Sequence, residues 1–213
     1  MTITHHPGEE LLLSYASGSG NEPVSLLIAT HLSFCATCQA LVRDVEAAGG
    51  AMLSDIEPAA MNARALQSVL SRLDDNVPGA SSLSTVPGDV PMPLRPYVGS
   101  EFAKARWVAV APGLAHAPLL TRGNTRARLI RAKPGAAVSV HSHRGEELTL
   151  VLTGSYRDET GVYRPGDVQS TTPEIVHRPV AEAGPVCINL AVTDAPLVFK
   201  DLLPSLVGRF FGF

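Results

Sequence analysis

Residues 135–154 read GAAVSVHSHRGEELTLVLTG, and this stretch decides how the C-terminal half is built. His141 and His143 are two positions apart, so on a strand both side chains leave the same face. Glu147, on the next strand after a turn, reaches the same centre, and a later strand should bring His177 as a third imidazole. Nitrogen and carboxylate donors together suit Zn, Mn, Fe or Ni, so the residue types alone do not choose the metal.

Outward from that centre the pattern is short and strand-like: Arg106 to Val110, Thr125 to Ala132, Ala137 to His141, Leu148 to Leu152, Val162 to Tyr163, Val168 to Thr171, Ile175 to Val180 and Val186 to Val192. Turn signals such as Pro134-Gly135, Gly154 and Pro165-Gly166 separate them, as in an all-β sandwich or barrel. Pro196 to Phe211 is apolar and reads as one closing helix. Cys187 falls in an apolar strand and reads as an inert core residue. His116 belongs to no cluster.

Toward the N-terminus the composition changes. Asn76 to Pro96, NVPGASSLSTVPGDVPMPLRP, holds five Pro and two Gly and cannot propagate a helix or a central strand, so it reads as a linker. Before it the periodicity is helical. Glu9 to Ala16 is a short helix, a longer one runs from Pro23 to Gly49-Gly50, and a third starts at the capping box Ser54-Asp55-Ile56-Glu57. The expected domains are 1–77, a linker over 78–96, and 97–213.

The helical unit carries a second constellation, His31-x3-Cys35-x2-Cys38. At about 100° per residue these positions share one face of a continuous helix. Imidazole and thiolate are good zinc ligands, and structural zinc takes four in a tetrahedron, so His5 or His6 is needed from upstream. A lone C-x-x-C could also be a redox pair, but that reading wants a strand-to-helix turn in a βαβ setting, which is missing.

Composition bounds the partners. The 213 residues carry a net charge of -3, divided unevenly: residues 1–80 hold nine Asp/Glu against three Arg, and the remainder holds 14 Lys/Arg against 11 Asp/Glu. An acidic helical unit is a poor phosphate-backbone binder, so direct DNA binding is not expected. With no apolar run near the roughly 18 residues needed to span a bilayer, no membrane segment is expected, and the reading is a cytoplasmic protein.

These motifs carry a resemblance. Gly135-x5-His141-x-His143-x3-Glu147-x6-Gly154 matches the first cupin motif at every spacing, whereas the second is only partly kept: Gly166-Asp167 and Pro173 before His177 resemble it, but three residues separate Pro173 from His177 instead of four, and the usual Asn is missing. His31-x3-Cys35-x2-Cys38 with an upstream His resembles the zinc-binding anti-sigma family. A zinc helical domain, a linker and a cupin together resemble the ChrR-type anti-sigma factors over nearly the whole chain. The resemblance implies a two-domain α + β fold, with a zinc-stabilised four-helix bundle followed by an all-β cupin barrel or jelly roll. It implies zinc on His6, His31, Cys35 and Cys38, and a cupin metal on His141, His143, Glu147 and His177, with zinc foremost there and Fe, Mn or Ni as alternatives. It also implies a 1:1 complex with an extracytoplasmic-function sigma factor, whose basic DNA-binding surface an acidic unit would meet and inhibit. An oxidative signal, singlet oxygen or an organic hydroperoxide, would release that factor. The competing reading is a metal-dependent cupin dioxygenase or isomerase with an accessory zinc helical domain.

Overall fold

The structure is a computed structural model that describes residues 2–73 and 87–199. Among these residues, helices α1 (Glu9–Ala16), α2 (Glu22–Leu32), α3 (Ala36–Ser54) and α4 (Ala65–Leu70) precede eleven strands. Helix α2 starts where Asn21 accepts the Val24 N–H at 3.1 Å and Pro23 occupies the first turn, which needs no donor there.

The strands are β1 (Val108–Ala111), β2 (Leu114–Arg122), β3 (Thr125–Ala132), β4 (His141–His143), β5 (Glu147–Thr153), β6 (Tyr156–Asp158), β7 (Gly161–Tyr163), β8 (Val168–Thr171), β9 (Val180–Ala181), β10 (Cys187–Thr193) and β11 (Leu197–Phe199). A six-stranded antiparallel sheet in the order β1-β2-β3-β10-β5-β8 forms one wall. The pair β11-β4 and the three-stranded sheet β7-β6-β9 face it, with isolated bridges at Ala137↔Val180 and His141↔His177. The result is the expected barrel behind helices.

Period-two alternation divides the large sheet between two cores. Leu148, Leu150 and Leu152 of β5 join Leu190 and Val192 of β10, and Ala127 and Leu129 of β3, in one cluster that also contains Leu26, Leu27 and Ile28 of α2. The alternate residues Val151, Cys187 and Ala132 join Tyr156 and Tyr163 in a second cluster inside the barrel. Helix α2 therefore roofs the outer face of the sheet, and burying each Leu or Ile there contributes about 1.5–3 kcal/mol. Strand β10 is buried at every position because both its faces are covered.

Several expectations are corrected. The long helix from Pro23 to Gly49-Gly50 is two helices, broken at Ser33–Cys35, and α3 runs through both glycines to Ser54. Both glycines face solvent, where their cost of roughly 0.5–1 kcal/mol each is borne without any packing conflict. The capping box at Ser54 ends α3 and starts nothing; the next helix begins at Ala65. Leu197–Phe199 is a strand beside β4 and not part of a closing helix, while 200–213 lies outside the described residues. The expected linker is described only from Pro87, and there Val90 and Leu94 are fully buried in the α2 cluster, because their apolar side chains fill the seam between helix and sheet. Strand β2 was not expected, because Pro118 interrupts its pattern. It survives because Pro118 lies at a register shift and pairs only with β3, so the lost donor faces no second neighbour.

Candidate metal centres

In the helical unit, His6, His31, Cys35 and Cys38 bring one ligand atom each to within 4.8 Å of one another. His31 sits in the last turn of α2, Cys35 is the N-cap of α3, and Cys38 lies in its first turn. The break in the expected helix is thus what builds the site: Ser33-Phe34 folds the thiols back toward the imidazole instead of stacking all three along one face. The Cys38 N–H donates to Cys35 Sγ at 3.4 Å. His6 supplies the fourth donor from outside the helices, its Nδ1 at 3.4 Å from Cys35 Sγ and 3.3 Å from Cys38 Sγ. His5, the other candidate, turns away to pack against Tyr163.

The chemistry of the group fits a cation. His31 Nδ1 lies 2.8 Å from the Gly166 carbonyl, which can only accept, so Nδ1 carries the proton and Nε2 presents its lone pair to the cluster. That Nε2 is buried and has no hydrogen-bond partner among the described residues. Burial also lowers the His31 pKa, keeping the imidazole in its neutral, ligating form. Burial and the adjacent Cys35 push the Cys38 thiol up to about 12, a penalty that a divalent cation removes by stabilising the thiolate. Two sulfurs and two nitrogens are a donor set that tetrahedral zinc favours.

In the barrel, His141, His143 and His177 converge within 4.8 Å. His177 Nε2 is 3.1 Å from His141 Nε2 and 3.2 Å from His143 Nε2, so the three lone pairs face one point. The short spacing from Pro173 does no harm, because backbone bonds between His141 and His177 in both directions set the register directly. Glu147 stands beside the trio, its Oε2 3.2 Å from His143 Nδ1 and its Oε1 accepting the Thr149 hydroxyl at 2.9 Å. That close contact with His143 is not aligned as a hydrogen bond, so Oε2 is buried with none among the described residues, an acceptor that a cation would satisfy. Burial pushes His141 down to about 4, so its ligating form persists well below neutral pH.

The residues behind the imidazoles were not anticipated. His141 Nδ1–H donates to the Ser139 carbonyl at 2.8 Å, and His177 Nδ1 meets Asp158 Oδ2 at 2.7 Å. Burial opposes charge on Asp158, yet hydrogen bonds from His177, Gln169 and Thr160 hold its carboxyl far below the usual range. An ionised carboxylate behind a ligating imidazole fixes its tautomer and raises its basicity. Asp158→Asn is therefore expected to weaken metal retention by the barrel roughly 10 to 100-fold, read by chelator competition. No sequence motif marks Asp158; it ends the short strand β6 and carries no family signature.

A cavity of about 330 Å3 opens onto this centre. Its walls include Val110, Leu114, Ile130, Val138, Leu197 and Phe199, and His141, Glu147 and His177 form its polar end. His116, on β2, is buried in the same wall.

Comparison with known proteins agrees with both halves. The family model described as the ChrR Cupin-like domain matches residues 97–195. The anti-sigma-E factor ChrR of Cereibacter sphaeroides is 43% identical over 211 residues, covering 99% of each chain. The crystal structure of Rhodobacter sphaeroides SigE in complex with the anti-sigma ChrR matches with 41% identity and a TM-score of 0.78, over 90% of this chain and 99% of that one. The chain belongs to the ChrR family of anti-sigma factors.

Proposed function

We propose that the chain is an anti-sigma factor whose helical unit holds an extracytoplasmic-function sigma factor in an inactive 1:1 complex until the cupin barrel meets an oxidative signal. The observation that carries this reading is a run of apolar side chains offered to solvent. From the end of α3 through α4, Met52, Leu53, Ile56, Met61, Leu66, Val69, Leu70 and Leu73 are between 48% and 80% exposed, and α4 buries none of its side chains. An apolar series of this extent marks an interaction surface. Asp55 and Glu57 lie within it, beside Ile56, and suit a basic partner.

On this reading zinc occupies the Cys/His group and serves structure, fixing where α3 begins. Residues 1–77 form the anti-sigma unit, 78–96 connect it, and 97–213 form the sensor. The barrel holds zinc foremost, with Fe, Mn or Ni as alternatives, on His141, His143 and His177, and Glu147 supplies a carboxylate at their side. The apolar cavity gives an oxidant or small ligand a dry route to that centre. Its role is regulatory and not enzymatic. Among the described residues no helix is long and apolar enough to cross a membrane, and a cytoplasmic chain is the reading that a sigma-factor partner supports.

The test is Leu66→Asp with Val69→Asp. Charges on two exposed positions leave the fold and zinc content unchanged, while losing a hot spot costs at least about 2 kcal/mol, roughly 30-fold in affinity. Full-strength co-purification of the sigma factor by this variant would refute the surface.

A further inference from the structure

His6 is the one ligand of the helical group that lies outside the α2–α3 segment, and the barrel holds the chain leading to it in place. The chain from Ile3 to Pro7 has no regular structure of its own, so its order needs contacts from elsewhere. Asp167, only 2% exposed, supplies them: its Oδ1 accepts the N–H groups of Thr4 at 2.8 Å and His5 at 3.0 Å, and its Oδ2 accepts the Arg164 N–H at 2.9 Å. The Val168 N–H donates back to the His5 carbonyl at 3.0 Å. The two residues before His6 are thereby pinned on both sides.

The residue beside Asp167 acts on the second imidazole. The Gly166 carbonyl accepts the hydrogen bond of the His31 Nδ1–H, which is what aims Nε2 at the thiols. Only glycine fits there. Its φ is +92°, and a Cβ would come within 2.7 Å of Ile3 Cδ1 and 3.1 Å of Phe34 Cβ. One barrel turn, 164–167, with the first residue of β8 thus orients the His31 imidazole and anchors the main chain that delivers His6.

We propose that the Gly166-Asp167 turn of the barrel is the outer shell of the helical metal group, so that the barrel sets the affinity of an ion it does not ligate. This rests on the metal reading of His6, His31, Cys35 and Cys38. The turn also reaches the other centre. Gly166 N–H donates to the Val151 carbonyl at 2.9 Å, Val151 N–H donates to the Asp167 carbonyl at 3.1 Å, and β8 pairs Thr171 with Glu147. One pair of strands therefore separates the two groups. Coupling is reciprocal: whatever loosens this turn from the barrel side weakens the helical ion, and losing that ion frees the turn.

The experiment uses the full chain loaded with Co2+. Thiolate-to-cobalt charge transfer reports the Cys35/Cys38 group alone, because the barrel group contains no sulfur. Asp167→Ala strips the clasp from the barrel side. Thr4→Pro removes the Thr4 N–H from the other side without touching the barrel. Against a competing chelator, each variant should lose the charge-transfer band at roughly 10 to 100-fold lower chelator than the native chain, while the cobalt of the three histidines stays in place. Asp167→Asn, which keeps an oxygen for Thr4 and His5, should recover most of the loss. Variants that hold the band as firmly as the native chain overturn the outer-shell role. A native chain that shows no such band overturns the metal reading, and the outer shell with it.

Discussion

Replacing Cys35 and Cys38 together by Ala is expected to abolish sigma-factor binding while leaving the barrel folded. The reason lies in how little else holds α3. That helix has 19 residues and buries only Cys38 and Val42, and α1 buries only Leu12. Packing of that extent cannot fix the direction of a long helix, so the joint where α2, α3 and the N-terminal segment meet must do it. A structural zinc in such a joint is worth about 10–16 kcal/mol at neutral pH. If only about 3 kcal/mol of that reaches the interface, affinity falls more than roughly 100-fold. Helix α2 behaves differently, because six of its residues are buried and several pack on the sheet. The variant should therefore keep its strand signal in circular dichroism, lose the zinc of the helical group and fail to retain the sigma factor on a column. Co-purification at native yield would show that the metal does not organise the binding surface.

What could be read from the residues, and what could not, follows the range of the forces involved. The His141/His143 pair was legible because a strand's period of two dictates a shared face whatever surrounds it. His177 could be named as a candidate although its motif was short by one residue, and the backbone pairing with His141 explains why the shortfall is harmless. The break between α2 and α3 was hidden, since the spacing of His31, Cys35 and Cys38 satisfies a continuous helix and a helix-turn-helix equally, and only the tertiary approach of His6 separates them. Val90 and Leu94 were read as linker because Pro surrounds them. They are buried by a seam that forms only after α2 lies on the sheet. Asp158 was invisible for the same reason, and Asp167 could be read only as part of the second cupin motif: its hold on Thr4 and His5, far away in the chain, exists only in the folded protein.

The shared core changes how the two halves should be separated by experiment. Deleting the barrel would uncover Leu27 and Ile28, both fully buried against the sheet, and would remove Gly166 and Asp167 from the helical group. Loss of function in such a truncation would not distinguish a missing sensor from a damaged clasp. Point changes inside the barrel avoid both problems.

His141→Ala with His177→Ala is expected to leave inhibition of the sigma factor intact and to eliminate its release. The pair removes two of the three converging nitrogens, which costs far more than the roughly 10 to 100-fold of an outer-shell change and empties the centre at ordinary metal concentrations. The substitutions lie on the cavity side. The opposite face of the sheet, where Leu148, Leu150 and Leu190 meet α2, is untouched, as is the Asp167 clasp. The complex with the sigma factor should form at native stoichiometry, and metal analysis should show loss of the barrel's equivalent alone. A reporter driven by the sigma factor should stay at its uninduced level when cells are exposed to singlet oxygen or an organic hydroperoxide. Normal induction from the double variant would move the sensor to the thiolates of Cys35 and Cys38, where oxidation would eject the structural ion directly. These alternatives predict opposite behaviour from one strain, because the barrel change removes one candidate sensor while preserving the other together with its outer shell.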